Sequence, residues 1–261
     1  MNRRIMFVCR SATGEALRCA NAIAKLDRVT LLICEDVHDA EQIVAAAKSF
    51  DSVDKIVTAQ ETLLAPVAAA SEALGLDAMS SEVVERTLDK SQLKSILKQA
   101  GVTTPRDQIV QTLAEAQRFV EEVGFPIVLK PINGSGAITT FRIEDEEQLA
   151  RVLELTKATV IAETFVSGQE LSFDTVTIAN EPQCYSVCCY NPPIIEALED
   201  PHKQWRCVIP RDLTPYKDFI EQGLKAVCAL RVGNAMTHME GFMDASGPAG
   251  FIDATLRPAG A

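Results

Sequence analysis

Three groups of residues have the types and spacing to do chemistry. The first is "VLKPINGSGAITT", Val128 to Thr140, where Lys130 precedes a loop containing Gly134 and Gly136. A Walker-type phosphate loop has the lysine after its glycines, so this is not one. Small residues at 134–137 still let backbone N–H groups approach a phosphate closely, and Lys130 would set an ammonium beside them. Asn133-Gly134 between two apolar runs is equally a turn signal, so a plain hairpin with a solvated lysine stays open.

The second group is "AETFVSGQELSFD", with Glu163 and Glu170 flanking a turn between two strands. The extended segment from Glu163 to Val166 could offer backbone groups to an adenine edge, and Glu170 could accept from ribose hydroxyls. Two exposed glutamates at a hairpin are the alternative. The third group is "HMEGFMDASGPAGFIDATLRPAG". Antiparallel pairing there can bring Glu240 and Asp253 onto one face. Facing carboxylates repel, which suits a bound cation, and Mg²⁺ takes one or two carboxylates together with phosphate oxygens. Arg257 would sit near enough to stabilise charge on a transferring phosphate. An ordinary hairpin with solvated acids is again the alternative.

The elements that must position these residues fall into three blocks. In the first, "RIMFVC", "RVTLLIC" and "KIVT" alternate with helical spacing, as a parallel sheet covered by helices requires. Thr58 and Glu61 fit a capping box for the helix that Gly75 ends. The turn "CRSATGEA" has one glycine, so the dinucleotide-binding fingerprint is absent. In the second block, Asp89 caps a helix that Gly101 stops, and Thr112 and Glu115 form a capping box. Strands at 125–130 and 137–143 follow, then a helix from 144 to 155. The third block holds strands at 159–166, "ELSFDTVTI", "PQCYSVCCY", "AMTHMEGFMD" and "GFIDATLRP", with one helix from 217 to 232. Its segment 191–205 has too many prolines and charges for a core element and reads as a loop. His238, Trp205 and the 191–210 loop are candidates to shape a substrate pocket, and His238 fits equally as a satisfied strand histidine.

Composition excludes several functions. The chain of 261 residues carries a net charge of −11, which disfavours nucleic acid and anionic membranes as partners. Its apolar runs fall short of the ~18–20 residues that span a bilayer, and its start lacks the features of a signal peptide, so the cytoplasm is expected. The eight cysteines have neither C-x-x-C pairing nor zinc spacing, and are expected to be reduced, mostly buried thiols.

Taken in order, Lys90, Lys130 with its glycine loop, Glu163 to Glu170, Glu240, then Asp253-Ala-Thr255-Leu-Arg257 resemble the ATP-grasp superfamily, over about residues 80–261. Among its members the chain is most similar to carboxylate–amine ligases, the group of amino-acid ligases and D-alanine–D-alanine ligase. The resemblance implies an α/β and α+β fold: a Rossmann-like N-terminal domain at 1–83, an ATP-grasp small lobe with a glycine-rich flap at 84–158, and a C-terminally short large lobe at 159–261. It implies that Lys90 and Lys130 contact ATP phosphates and that Asn133, Gly134, Ser135 and Gly136 to Ala137 form the flap over them. Glu163 with the backbone of Phe165 and Val166 would hold adenine, and Glu170 the ribose. Glu240, Asp253 and Thr255 would hold Mg²⁺ or Mn²⁺. Arg257 would hold the acyl phosphate or the carboxylate, and with Lys130 forms the expected catalytic pair.

The implied reaction is ADP-forming ligation of a carboxylate and an amine through an acyl phosphate. Its expected partners are ATP and small carboxylate and amine substrates, amino acids first. A homo-oligomer, or a partner supplying a missing C-terminal portion, is a further option. The family's last metal motif is usually Glu-x-Asn. Here the shorter Asp253 and the neutral Thr255 hydroxyl stand in its place, and the chain stops at Ala261 soon after the Arg-Pro pair. These departures keep two alternatives: a non-catalytic or partner-dependent ATP-binding protein of the same shape, and carbamoyl-phosphate synthase-like chemistry.

Overall fold

The computed structural model describes residues 2–11, 14–132, 140–200, 202–204, 206–244 and 247–259. The first lobe alternates β1 (Arg3–Val8), α1 (Gly14–Ala24), β2 (Val29–Cys34), α2 (Ala40–Lys48) and β3 (Lys55–Val57), followed by a 3₁₀ turn at Glu61–Leu63 and α3 (Leu64–Ala73). Its strands form a parallel sheet of order β2-β1-β3. Strands covered by helices need apolar runs, and Met6, Val8 and Ile56 accordingly bury against Ile43 and Val67. The capping box expected from Thr58 and Glu61 does not form. Thr58 accepts from the Gln60 N–H instead, and Glu61 faces away into a cleft.

Next come α4 (Ser81–Leu88) and α5 (Lys90–Gln99). Asp89 caps α5 as expected, accepting from the Ser91 and Gln92 N–H groups. The second sheet uses β4 (Asp107–Val110), β5 (Ile127–Pro131), β6 (Phe141–Ile143) and β7 (Val160–Thr164), with α6 (Leu113–Val123) and α7 (Glu146–Thr156) packed on it. The Thr112–Glu115 capping box opens α6. All pairings in this sheet are antiparallel, in the order β4-β7-β5-β6. β7 therefore belongs to the small sheet, and a boundary at 158/159 cuts that sheet.

The third sheet has the order β10-β9-β8-β11-β12, built from β8 (Gln169–Ile178), β9 (Glu181–Asn191), β10 (Arg206–Val208), β11 (Ala235–Asp244) and β12 (Gly247–Thr255). Between β9 and β10 lies α8 (Ile194–Glu199), so the segment expected to be a loop contains a short helix. The long helix α9 (Lys217–Leu230) packs on the sheet, with Phe219 stacked on Phe251 at 4.6 Å between centroids. Gly223 permits that approach, because a Cβ there would fall 2.4 Å from the Phe173 ring. Leu93 and Leu97 of α5 enter the same core, so this helix spans the seam between the second and third sheets.

The thiol expectation needs correction. Cys188 and Cys207 form a disulfide between β9 and β10, and Cys184 and Cys228 are exposed. Among the described residues no helix is long and apolar enough to cross a membrane.

Candidate active site

The site begins with α5. Residues four apart on a helix share a face, so Lys90 and Lys94 project the same way, one turn apart. They reach different sheets. Lys90 Nζ lies 2.8 Å from Asp253 Oδ2 on β12, while Lys94 Nζ lies 2.9 Å from Glu163 Oε1 on β7. The Lys90 N–H also donates to the Ile132 carbonyl, tying the start of α5 to the end of β5.

Glu163 holds a second lysine. Lys130 Nζ on β5 is 2.9 Å from its other oxygen, Oε2. Burial opposes ionisation of Glu163, but Lys130 and Lys94 outweigh it and pull its carboxyl down to about 2. Burial in turn pulls the Lys94 ammonium below the usual lysine range, with Glu163 working against that. Just beyond β7, the Arg142 guanidinium stacks on the Phe165 ring, 4.4 Å from its centroid. The Phe165 N–H donates to Pro126 O at 3.4 Å.

The large sheet supplies the opposite chemistry. Glu170 begins a row of alternating residues on β8, Glu170, Ser172 and Asp174, that share one face. Glu170 accepts from the Ile194 N–H at 2.6 Å, which fixes the start of α8. Burial pushes the Glu170 carboxyl up to about 7, against that hydrogen bond and with Glu240 adding to the rise. Asp174 faces His238 in the β8–β11 register, with Oδ1 2.6 Å from Nδ1. The other ring nitrogen, Nε2, is 3.2 Å from Glu240. Burial works against a charged His238, yet Asp174 and Glu240 hold it up at about 9. The histidine is thus satisfied between two carboxylates and also lines the cleft.

Glu240 and Asp253 are direct register partners across β11 and β12, as pairing of the two terminal strands requires. Thr255 is buried, and its hydroxyl has no hydrogen-bond partner among the described residues. Two carboxylates and a neutral oxygen are hard donors, which suits Mg²⁺ or Mn²⁺ that also draws on phosphate oxygens. Among the described residues no group of three or more acidic, histidine or cysteine side chains is placed to hold a metal ion. Arg257, just past β12, places Nε 3.3 Å from Glu61 Oε2 of the first lobe.

One cleft joins these groups. Lys130, Glu163, Phe165, Val166, Glu170, Glu240, Asp253, Thr255 and Arg257 all line it, together with His238 and Glu61. Lys90 reaches it through Asp253. Asn133, Gly134, Ser135, Gly136 and Trp205 lie outside the described residues. Sequence reasoning missed Lys94, Asp174 and Glu61. Helical spacing from Lys90 could have found the first, and strand alternation from Glu170 the second. Glu61 carried no signal, because its partner lies 196 residues away.

Residues 87–178 match the RimK-like ATP-grasp domain. The chain is similar to alanine–anticapsin ligase from Bacillus subtilis, 27% identical over 243 residues, covering 84% of this chain and 51% of that protein. It is 31% identical over 102 residues to D-alanine–D-alanine ligase B from Clostridium perfringens, covering 38% of this chain and 33% of that one. The solved L-amino acid ligase from Bacillus licheniformis superposes with a TM-score of 0.80 at 22% identity, over 99% of this chain and 68% of that one. D-alanine–D-alanine ligase from Bacillus anthracis, complexed with ATP, gives 0.75 at 16% identity, over 98% and 87%. The chain spans about half the length of the curated relatives that it matches over most of its own sequence.

Proposed function

We propose that this chain, which has the ATP-grasp fold, is an ADP-forming ligase that joins a carboxylate to an amine, with amino acids as its substrates. The observation that carries this is the meeting, in one cleft, of a lysine-bearing wall and a carboxylate-bearing wall beside Arg257. Lys130 and Lys90 are suited to neutralise ATP phosphates, and the 163–166 strand end and Glu170 to hold adenine and ribose. Glu240, Asp253 and Thr255 would hold a divalent ion that neutralises phosphate charge. Mg²⁺ or Mn²⁺ is the choice that their oxygen donors favour. Arg257 would hold the carboxylate while it is phosphorylated and the acyl phosphate while the amine attacks. Positioning and charge neutralisation suffice for such a transfer, so no protein nucleophile is needed. The cytoplasm is where ATP and amino acids would be met.

The test is an assay with Mg-ATP and pools of amino acids and other carboxylates, measuring ADP and phosphate. ADP release that needs both a carboxylate and an amine, and that Lys130→Ala or Glu240→Ala abolishes, is the expected result. ATP binding without carboxylate-dependent ADP would instead support a non-catalytic binding protein, the second reading that Thr255 favours by offering a neutral hydroxyl.

A further inference from the structure

Lys94 has no place in the roles assigned above, yet it is one of the largest fully buried side chains in the protein. It sits 2.9 Å from Glu163 and does not line the cleft, so a ligand in the cleft cannot touch it. Lys130 is different. It shares the same carboxylate at 2.9 Å, but it lines the cleft. Glu163 therefore has two lysines, one sealed in the protein and one facing the place where phosphates would lie.

A buried carboxylate that loses its last cation is strongly disfavoured. If Lys130 were the sole partner of Glu163, turning toward a phosphate would strand that charge in a site almost closed to water. A second lysine removes the conflict. We infer that Lys94 is a positioning residue, a retained counterion for Glu163 that leaves Lys130 free to engage nucleotide phosphates. The inference rests on the nucleotide site proposed above. The helix suits this role, because Leu93 and Leu97 anchor α5 in the core of the large sheet, so Lys94 is held rigidly while Lys130 swings.

The test compares ATP with adenosine, which offers the same base and ribose but no phosphates, by isothermal titration on wild-type protein and Lys94→Met. With Lys94 gone, Lys130 is committed to Glu163. The ATP Kd is expected to rise on the order of 100-fold, and the adenosine Kd by less than about 3-fold. In Lys94→Met/Glu163→Gln the carboxylate is gone too, and the ratio of the two Kd values is expected to return to near that of wild type. A Lys94→Met protein that binds ATP and adenosine equally poorly overturns the inference alone, since Lys94 would then only support the fold. Wild-type protein that binds neither overturns the nucleotide site itself, and the inference with it. Should Lys94→Met not fold, wild-type protein with ¹⁵Nζ-labelled lysine decides. Adding ATP is expected to move the Lys130 ammonium signal, and a Lys130 signal that stays in place overturns the inference.

Discussion

The two walls of the cleft solve opposite electrostatic problems. On the small sheet, Lys94 and Lys130 close on the single carboxylate of Glu163. On the large sheet, Asp174 and Glu240 flank His238, Asp253 meets Lys90, and Glu170 accepts from the Ile194 N–H. Glu163 and Glu170 make the contrast sharpest, because they are the same residue type, buried to 1% and 4% exposure. One is pulled down to about 2 and the other pushed up to about 7. Burial acts on both alike. What differs is the company: two ammonium groups at 2.9 Å for Glu163, against one backbone N–H, the neighbouring acids Glu240 and Glu196 and a partial pull from Lys130 for Glu170. Burial alone therefore does not set the charge of a site residue here; the paired cations do. A lysine-rich wall suits phosphate oxygens, and a carboxylate-rich wall suits the cation that accompanies them.

The most severe way to break this comparison is to remove the carboxylate that two buried lysines depend on. Glu163→Ala is expected to cost about 3–5 kcal/mol of folding stability, read from urea denaturation at neutral pH. Glu170→Ala should cost clearly less, because its carboxyl is already near half-protonated there. Equal losses would erase the distinction between the walls.

Next in size is a change on the acidic wall that should spare stability and remove function. Glu240→Ala removes one of the two carboxylates beside His238 and leaves Asp174 in place. Stability is expected to stay within about 1 kcal/mol of wild type. Metal-dependent ADP formation should fall by about 100-fold or more. Activity that survives the change would move the metal site elsewhere.

The smallest effect is a pH dependence. Glu170 binds its proton more tightly folded than unfolded, so its contribution to stability falls as pH rises from 4.5 through about 7. His238 also has a raised pKa, so its contribution is fully present below 6.5 and is lost as pH rises through about 9. Glu163 runs the other way: its contribution is present above 4.5 and lost as pH falls toward about 2. Glu170→Gln should flatten the fall in stability between pH 4.5 and 7 by roughly 2 kcal/mol and leave the alkaline limb intact. An unchanged pH profile of denaturation midpoints would show that Glu170 does not titrate in that window.

Local signals are legible where one segment carries all its own determinants. Asp89 and the Thr112–Glu115 box satisfy orphan N–H groups within three residues, so type and spacing suffice to place two helix starts. Thr58 and Glu61 show the limit of the same rule. The pattern is present, but Glu61 is drawn to Arg257, and a long-range ion pair displaces the local cap. The segment 191–205 departs from its local pattern for a related reason. Its short helix is fixed by Glu170, 24 residues earlier in the chain, and no local residue type announces that bond.

The sequence by itself determined which acids and bases share a strand or helix face, because periods of 2 and 3.6 are properties of the backbone. It also determined that the two terminal strands could set Glu240 against Asp253. Only the tertiary structure decided what those groups meet. Lys90 and Lys94 differ by one helical turn, yet one faces Asp253 on the large sheet and the other Glu163 on the small sheet. That division depends on α5 lying across the seam between two sheets. The charge state of Glu163 and Glu170 follows from such placements rather than from residue type, because electrostatic energies in a buried site depend on which groups lie within a few ångströms and on how much water is excluded.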